Sequence, residues 1–184
     1  MTYNEYRQLR AYARYDGIYL GVIWVASFAC MIGITTWPFL NMLWMMLALS
    51  TPFFVALRLK KYRDNALDGI ISFKRGFAYC LRVFFHSALL LAIMQWAYMH
   101  FLDHGHLAQM LQTIFDTPQS HEVMKQVRMD AKELITVFSE ISPLQFAVTY
   151  FGENIMIGLM LSFPIALISR RTHASAKQRN INKQ

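Results

Sequence analysis

The chain has 184 residues, of which 55% are hydrophobic and only 16% are charged. This composition excludes an ordinary soluble domain, and the length leaves room for a single membrane domain. The formal net charge of +7 could suit a nucleic-acid-binding protein, but the distribution of the charge along the chain argues against that partner.

Four apolar stretches are each long enough to cross about 30 Å of hydrocarbon as a helix. They run over residues 17–37, 38–57, 76–102 and 143–169. No small-residue cleavage site follows the first stretch, so we predict a retained helix and not a cleaved signal peptide. The sequence therefore predicts an all-α, polytopic membrane protein with four transmembrane helices.

Basic residues are concentrated in three of the segments that flank or join these helices. Residues 1–16, 58–75 and 170–184 contain 14 of the 18 Lys and Arg residues and four acidic residues. Segment 103–142 contains three basic and six acidic residues. By the positive-inside rule, the basic segments are cytoplasmic and 103–142 is external, in agreement with four crossings. We expect a multi-pass membrane protein with both termini in the cytoplasm.

Short sequence patterns predict the local structure of the segments that flank or join the four helices. Residues 3–15 combine four tyrosines with three arginines, which suits an amphipathic helix in the headgroup layer or a topogenic basic tail. Pro38 suits the first turn of the second helix, so the turn between the first two helices is short and the helices form an antiparallel pair. In the cytoplasmic loop, Asp68 and Gly69 predict a turn and Ser72 predicts a helix N-cap.

Small residues recur along the first predicted helix. Small side chains let a neighbouring helix approach closely, where van der Waals contact replaces the missing hydrophobic drive. The residues are Gly17, Gly21, Ala29 and Gly33. We expect them to pack within the chain, with a homodimer interface as the alternative.

Ionisable groups inside transmembrane helices are costly, and each is a candidate functional group. Arg82 and His86 are four residues apart on the third helix, and Glu153 lies beside Asn154 on the fourth. At about 1.5 Å per residue, His86 and Glu153 differ in depth by only about 7 Å, so we predict one intramembrane polar cluster. It could neutralise its own charges and hold the two helices together, or form a proton- or substrate-linked site. Arg82 could also extend to the headgroups.

Histidines surround the external end of the third helix. His100 and His104 have the spacing of metal ligands on a helix, and His106 is a third candidate for a zinc or copper site. No Cys assists and no H-E-x-x-H motif is present, so an ordinary interfacial role for these histidines is favoured. We therefore expect no cofactor.

The external segment 103–142 predicts two amphipathic helices. The first covers His106–Phe115, and Thr117 with Pro118 predicts the start of the second. Apolar residues then recur at three-to-four spacing along the second helix. This external stripe comprises Met124, Val127, Leu134 and Phe138. The preceding helix, the outer headgroup layer or a protein partner must cover it.

Several short motifs stand out in the cytoplasmic loop and at the entry to the first helix. They are Lys61-Tyr62-Arg63-Asp64, Gly69-Ile70-Ile71-Ser72-Phe73 with Phe77, and Arg14-Tyr15-x-Gly17 with Gly21. Through these motifs the chain resembles a bacterial family of integral membrane proteins that is known only as a domain of unknown function. The resemblance extends over nearly the whole chain. The resemblance implies four helices in the bacterial inner (cytoplasmic) membrane. It brings no established activity and no catalytic residues.

The sequence lacks the motifs of the common catalytic classes. It has no P-loop, no G-x-G-x-x-G, no G-x-S-x-G elbow and no Cys pair with zinc spacing, so we expect no enzymatic activity. The favoured hypothesis is a scaffold or accessory subunit that contacts the lipid bilayer and a protein partner or a second copy. The alternative is an oligomeric small carrier or lipid-handling protein that uses Arg82, His86 and Glu153.

Overall fold

The computed structural model describes residues 3–117, 120, 122, 124 and 130–171. The helices of this part of the chain are α1 (Tyr3–Ile32), α2 (Phe39–Ala66), α3 (Phe73–Phe101), α4 (His106–Phe115), α5 (Ala131–Glu140) and α6 (Pro143–Ser169). Of these, α1, α2, α3 and α6 are long and apolar enough to cross a membrane. The prediction of an all-α fold with four membrane-spanning helices is confirmed.

Serines cap the N-termini of two membrane-spanning helices, and one of them, Ser72, is the predicted N-cap. The Ser72 hydroxyl accepts the backbone N–H of Arg75 at 3.4 Å, at the start of α3. The Ser142 hydroxyl accepts the backbone N–H of Gln145 at 3.2 Å, and the Gln145 side chain accepts the Ser142 N–H at 3.0 Å. This reciprocal pair is a capping box, which satisfies donors that a helix N-terminus otherwise leaves free.

The first helix begins much earlier than its apolar stretch. α1 starts at Tyr3 and is continuous through residues 3–15, so this segment does not form a separate interfacial helix. Leu9 and Ala13 are fully buried and belong to the same core cluster as Tyr62 of α2. Because arginine is a good helix former, the basic residues do not end the helix, and burial of the apolar positions between them fixes it against the bundle.

The second helix also continues past its apolar stretch, to Ala66. The connection to α3 is therefore only 67–72, and Asp68 and Gly69 have φ angles of 50° and 79°. These left-handed angles reverse the chain direction, as predicted for a turn at this point. This end of the bundle contains the start of α1 and residues 67–72. We call it the basic end.

The C-terminal end of α6 is hydrogen-bonded to residues of the basic end. The buried Arg63 guanidinium donates from Nη1 to the Ser169 carbonyl at 3.1 Å and also pairs with Asp64. The backbones of Ile71 and Arg171 exchange two hydrogen bonds of 3.0 and 3.1 Å. A carbonyl at a helix C-terminus lacks a partner within its helix, so Arg63 supplies one.

Three glycines set how closely the membrane-spanning helices approach, with α3 packed between α1 and α6. A Cβ atom on Gly17 would lie 2.7 Å from the His86 Cβ, and one on Gly21 would lie 2.8 Å from a Leu90 methyl. On the other side of α3, a Cβ on Gly158 would lie 2.6 Å from the Phe84 Cβ. Contacts this short leave no room for a methyl group, so Gly17 and Gly21 pack within the chain.

The other two small residues of the predicted set do not face α3. Ala29 is exposed, and Gly33 follows the end of α1 and faces Leu40 of α2. The four small residues therefore do not form one continuous contact face. The last of them, Gly33, lies beyond the end of α1 at Ile32.

The segment between α3 and α6 differs from its prediction in one respect. α4 covers His106–Phe115 as predicted, and the Thr117 hydroxyl accepts the backbone N–H of Ser120 at 3.4 Å. A single helix does not continue from there, because Asp130 is extended and its side chain accepts the N–H of Lys132 at 2.8 Å, which starts α5. An aspartate that caps a new helix competes with continuation of the old one.

The glycine contacts predict a difference between two substitutions in α6. Gly158→Ala should lower the free energy of unfolding by about 1–3 kcal/mol, because the added methyl group meets Phe84 in a filled interface. Gly152→Ala is the matched control, since nothing lies within 4 Å of its Cβ position, and it should be neutral or stabilising by up to about 1 kcal/mol. Unfolding of the detergent-solubilised protein in increasing SDS measures both. Equal effects would contradict the close α3–α6 packing.

Candidate functional site

The structure does not bring the four residues of the predicted polar cluster together. Arg82 and His86 line a cavity at the basic end, whereas Glu153 and Asn154 line a different cavity inside the bundle. The ion pairs of the described residues do not include Glu153. The single cluster expected from the sequence is therefore not formed.

The direction of the side chains explains this separation. Gly158 packs on Phe84 and so marks the face of α6 that meets α3. At about 100° per residue, Glu153 lies about 140° around the helix from Gly158. Depth alone therefore misleads, because two groups at similar depth meet only if both helices turn them toward each other.

Arg82 and His86 belong to a cavity between the start of α1 and α3, which we call the arginine pocket. Its volume is about 670 Å³. Its polar and aromatic walls are Tyr6, Arg7, Arg10, Arg14, Arg82, Phe85 and His86. The three arginines of α1 share one helical face because they are three and four residues apart.

Each of the four arginines of the pocket lies over a tyrosine ring, and Arg82 also bonds to a backbone carbonyl. The guanidinium carbon of Arg82 lies 5.1 Å from the centre of the Tyr6 ring, and that of Arg10 lies 5.8 Å from the same ring. Arg82 also donates to the Ala78 carbonyl at 2.9 Å and to the Tyr6 hydroxyl at 3.4 Å. Cation–π contact orients a guanidinium without neutralising it.

No carboxylate is found among the described residues that line the arginine pocket. Elsewhere in the described chain, Asp16 pairs with Arg58 and Glu5 pairs with Arg75, so the acidic residues of α1 meet cations outside the pocket. The C-terminal residues 172–184 contain no Asp or Glu in their sequence. The pocket is therefore a concave surface with four positive charges.

The second cavity lies between the membrane-spanning helices, toward the end of the bundle opposite the basic end. This bundle cavity has a volume of about 350 Å³ and is walled by all four spanning helices. Trp24 donates from Nε1 to the Thr51 hydroxyl at 2.9 Å, and Asn154 donates to the Tyr150 carbonyl at 2.7 Å. Glu153 is the charged member of the described residues that line it.

Gln95 is a further polar wall of the bundle cavity. Its side chain is 3% exposed, and its Oε1 atom has no hydrogen-bond partner among the described residues. A buried amide oxygen without a donor is costly, by about 1–3 kcal/mol. The sequence did not single out Gln95, because an amide is uncharged and, unlike Asn154, Gln95 has no ionisable residue beside it.

Asp16 forms a second site that sequence reasoning missed. Its buried carboxylate pairs with Arg58 of α2 and accepts the hydroxyl of Tyr79 of α3, so one side chain joins three helices. The Tyr79 ring stacks on Tyr62, with ring centres 5.0 Å apart and planes within 5°. The signal was present in the sequence, since Asp16 and Arg58 lie at similar depth on antiparallel neighbours, but both were counted only as flanking charges.

The three histidines do not form the hypothesised metal site. No group of three His, Cys, Asp or Glu side chains within the described part of the chain is placed to hold a metal ion. His100 stacks on Trp96 with ring centres 5.4 Å apart, and His104 lies in a left-handed turn with φ 41°. The turn leads the chain away from the α3 axis before His106, so the helical spacing of the candidates is lost.

The external stripe is covered in part by the chain itself. Phe138 packs against Phe146 of α6 with ring centres 5.9 Å apart, next to the buried Leu107 and Met110 of α4. Leu134 and Met124 are half-buried, and Val127 lies outside the described residues.

The Asp16 junction predicts a large effect of a small change. Asp16→Asn should lower the free energy of unfolding by about 3–5 kcal/mol, because it leaves Arg58 without its counter-charge in a partly buried position. Asp68→Asn is the matched control, since Asp68 is exposed and asparagine tolerates its positive φ. SDS titration of the purified protein measures both variants. A loss below about 1 kcal/mol for Asp16→Asn would contradict the junction's role.

Comparison with known proteins identifies a family. Residues 15–171 match the family described as "Protein of unknown function (DUF4199)". No curated protein and no solved structure matches the chain. The matched segment contains the bundle cavity and the Asp16 junction together with Arg82 and His86, and it begins after the other three arginines of the arginine pocket. Since the match covers most of the sequence, the chain belongs to the DUF4199 family.

Proposed function

We propose that this membrane protein binds the phosphate-bearing headgroup of an anionic lipid in the arginine pocket and has no enzymatic activity of its own. The observation that carries the proposal is the pocket itself, with four guanidinium groups and no carboxylate among its described walls. This function corresponds to the lipid-handling alternative that the sequence suggested. Arg82 and His86 belong to the site as before, but Arg7, Arg10 and Arg14 take the place of Glu153.

The chemistry of the pocket favours a phosphate group. Guanidinium groups present planar pairs of N–H donors that match phosphate oxygens, and these charge-assisted bonds are stronger than neutral ones. Arg82 already has its guanidinium fixed by Ala78 and Tyr6, so little of its freedom is lost on binding.

The position of the pocket favours a lipid over a free phosphate ion. Arg7 lies near the start of α1, whereas Phe85 and His86 lie more than three turns into α3, so the pocket extends from the basic end toward the apolar region. Exposed Phe85 offers an apolar wall to an acyl chain beside the arginines. Basic pockets between helices on the cytoplasmic side suit anionic headgroups.

The scaffold or accessory-subunit hypothesis has less physical support than lipid binding. It depended on an external stripe in need of a protein partner, and Phe138 has its own cover from Phe146 and α4. A protein partner stays a hypothesis. A second copy of the chain is the partner that a carrier role would require, because four helices rarely enclose a pathway alone.

Removal of charge from the pocket should weaken lipid binding selectively. We expect Arg10→Gln together with Arg14→Gln to weaken binding of phosphatidic acid at least about tenfold, because the pocket loses two charge-assisted contacts. The matched control is Lys60→Gln with Lys74→Gln, two exposed basic residues of the same end outside the pocket. Native mass spectrometry of the detergent-solubilised protein, with phosphatidylcholine as the neutral lipid, measures the affinities. An equal loss in both double variants would mean that only the general positive charge attracts the lipid.

The lipid proposal includes an orientation, with the basic end in the cytoplasm of a bacterial cell. A reporter enzyme fused after Gln184 should be cytoplasmic, and one inserted at Gln119 should be external, as the charge asymmetry predicts. Activities of alkaline phosphatase and green fluorescent protein fusions measure the two locations. Both reporters on one side of the membrane would contradict the orientation.

A further inference from the structure

We propose that the bundle cavity is a binding site for a lipophilic organic cation, with Glu153 as its counter-charge. This site goes beyond the lipid headgroup proposal, because it lies toward the opposite end of the bundle and has the opposite charge. The cavity, of about 350 Å³, has the size of a small-molecule site.

The charge of the cavity is not balanced from within. Glu153 is acidic, and none of the described residues lining the cavity is a Lys, Arg or His. A carboxylate in the apolar part of a membrane protein is costly, and such groups are retained where they serve a substrate or an ion. The arginine pocket does not supply the missing cation, since Arg82 is directed to Tyr6 and the Ala78 carbonyl.

The walls of the cavity suit an organic cation better than a metal ion. Trp24, Phe28, Trp44 and Tyr150 place aromatic rings around the space. Ring faces attract ammonium and phosphonium groups, and the aromatic cages that bind quaternary ammonium ligands use the same interaction. The remaining walls are mostly aliphatic, so a ligand with an apolar body gains by leaving water.

Gln95 supplies the second, independent observation. Its Oε1 atom is buried and has no hydrogen-bond partner among the described residues, and Gln95 is part of the wall of the same cavity as Glu153. The wall of the cavity therefore carries one carboxylate and one amide, and the ion pairs of the described residues do not include that carboxylate. A lipid acyl chain that entered the cavity would fill its volume but would bring no charge to balance that of Glu153.

We infer that a ligand enters the cavity from the bilayer between α2 and α6. α2 and α6 meet at the basic end, where Arg63 bonds to Ser169. Toward the other end, Trp44 and Ala48 of α2 and Ile157 of α6 lie on the walls of the cavity between them. A ligand that is both apolar and positively charged partitions into the membrane, so it could reach the cavity from the side.

The test uses two nearly isosteric probes, methyltriphenylphosphonium and triphenylphosphine oxide. They share three phenyl rings on phosphorus and differ mainly in charge. Equilibrium dialysis with the purified full-length protein should show saturable binding of the cation, at least about tenfold tighter than binding of the oxide. Similar affinities for both probes, or no saturable binding of the cation, would overturn the proposal.

Variants assign the charge preference to Glu153. Glu153→Gln should weaken cation binding at least about tenfold and leave oxide binding unchanged, whereas Glu140→Gln, an exposed carboxyl of α5, should change neither. Trp44→Leu should weaken cation binding about threefold, as expected for one ring contact. Unchanged cation binding by folded Glu153→Gln would refute the proposal; if that variant does not fold, the wild-type preference between the probes decides. The Arg10→Gln/Arg14→Gln protein should bind the cation normally, so the lipid and cation proposals can fail separately.

Discussion

The contact of Asp16 with Arg58 and Tyr79 joins three of the four membrane-spanning helices, and the arrangement of the bundle depends on it. A buried carboxylate is tolerable only with a cation and hydrogen-bond donors close by, so α2 and α3 must both meet α1 at this depth. Close packing of α1 on α3 at Gly17 then follows one residue later, where the Ser87 hydroxyl also donates to the Gly17 carbonyl at 2.8 Å. The bond from Arg63 to Ser169 holds α2 against α6 at the basic end, and the bundle cavity lies toward the opposite end.

The fold could be predicted from the sequence because its strongest determinants are local. Apolar length predicts the four spans, and the caps at Ser72 and Ser142 depend only on residues up to three positions away. The ends of α1 and α2 could not be predicted in the same way. Whether Leu9 and Ala13 continue a helix depends on burial against distant parts of the chain, which a hydropathy pattern does not contain.

The candidate sites were only partly predictable. The sequence identified Arg82, His86 and Glu153 as unusual because each is polar in an apolar helix, and all three do line cavities. Their grouping depended on rotation about the α3 and α6 axes, which depth counting ignores. Arg7, Arg10 and Arg14 were noticed as topogenic charges, but their role as pocket walls requires that α1 begin at Tyr3.

The bond from Arg63 to Ser169 links residues that are 106 positions apart, and it has a consequence for the order of assembly. During synthesis the arginine enters α2 long before its carbonyl partner exists, so until then it has to rely on neighbours such as Asp64 and on water or headgroups. The last residues of α6 therefore complete the environment of a side chain made much earlier. A nascent chain that stops short of Ser169 therefore keeps the pair of Arg63 with Asp64 but lacks the carbonyl that completes the environment of this guanidinium.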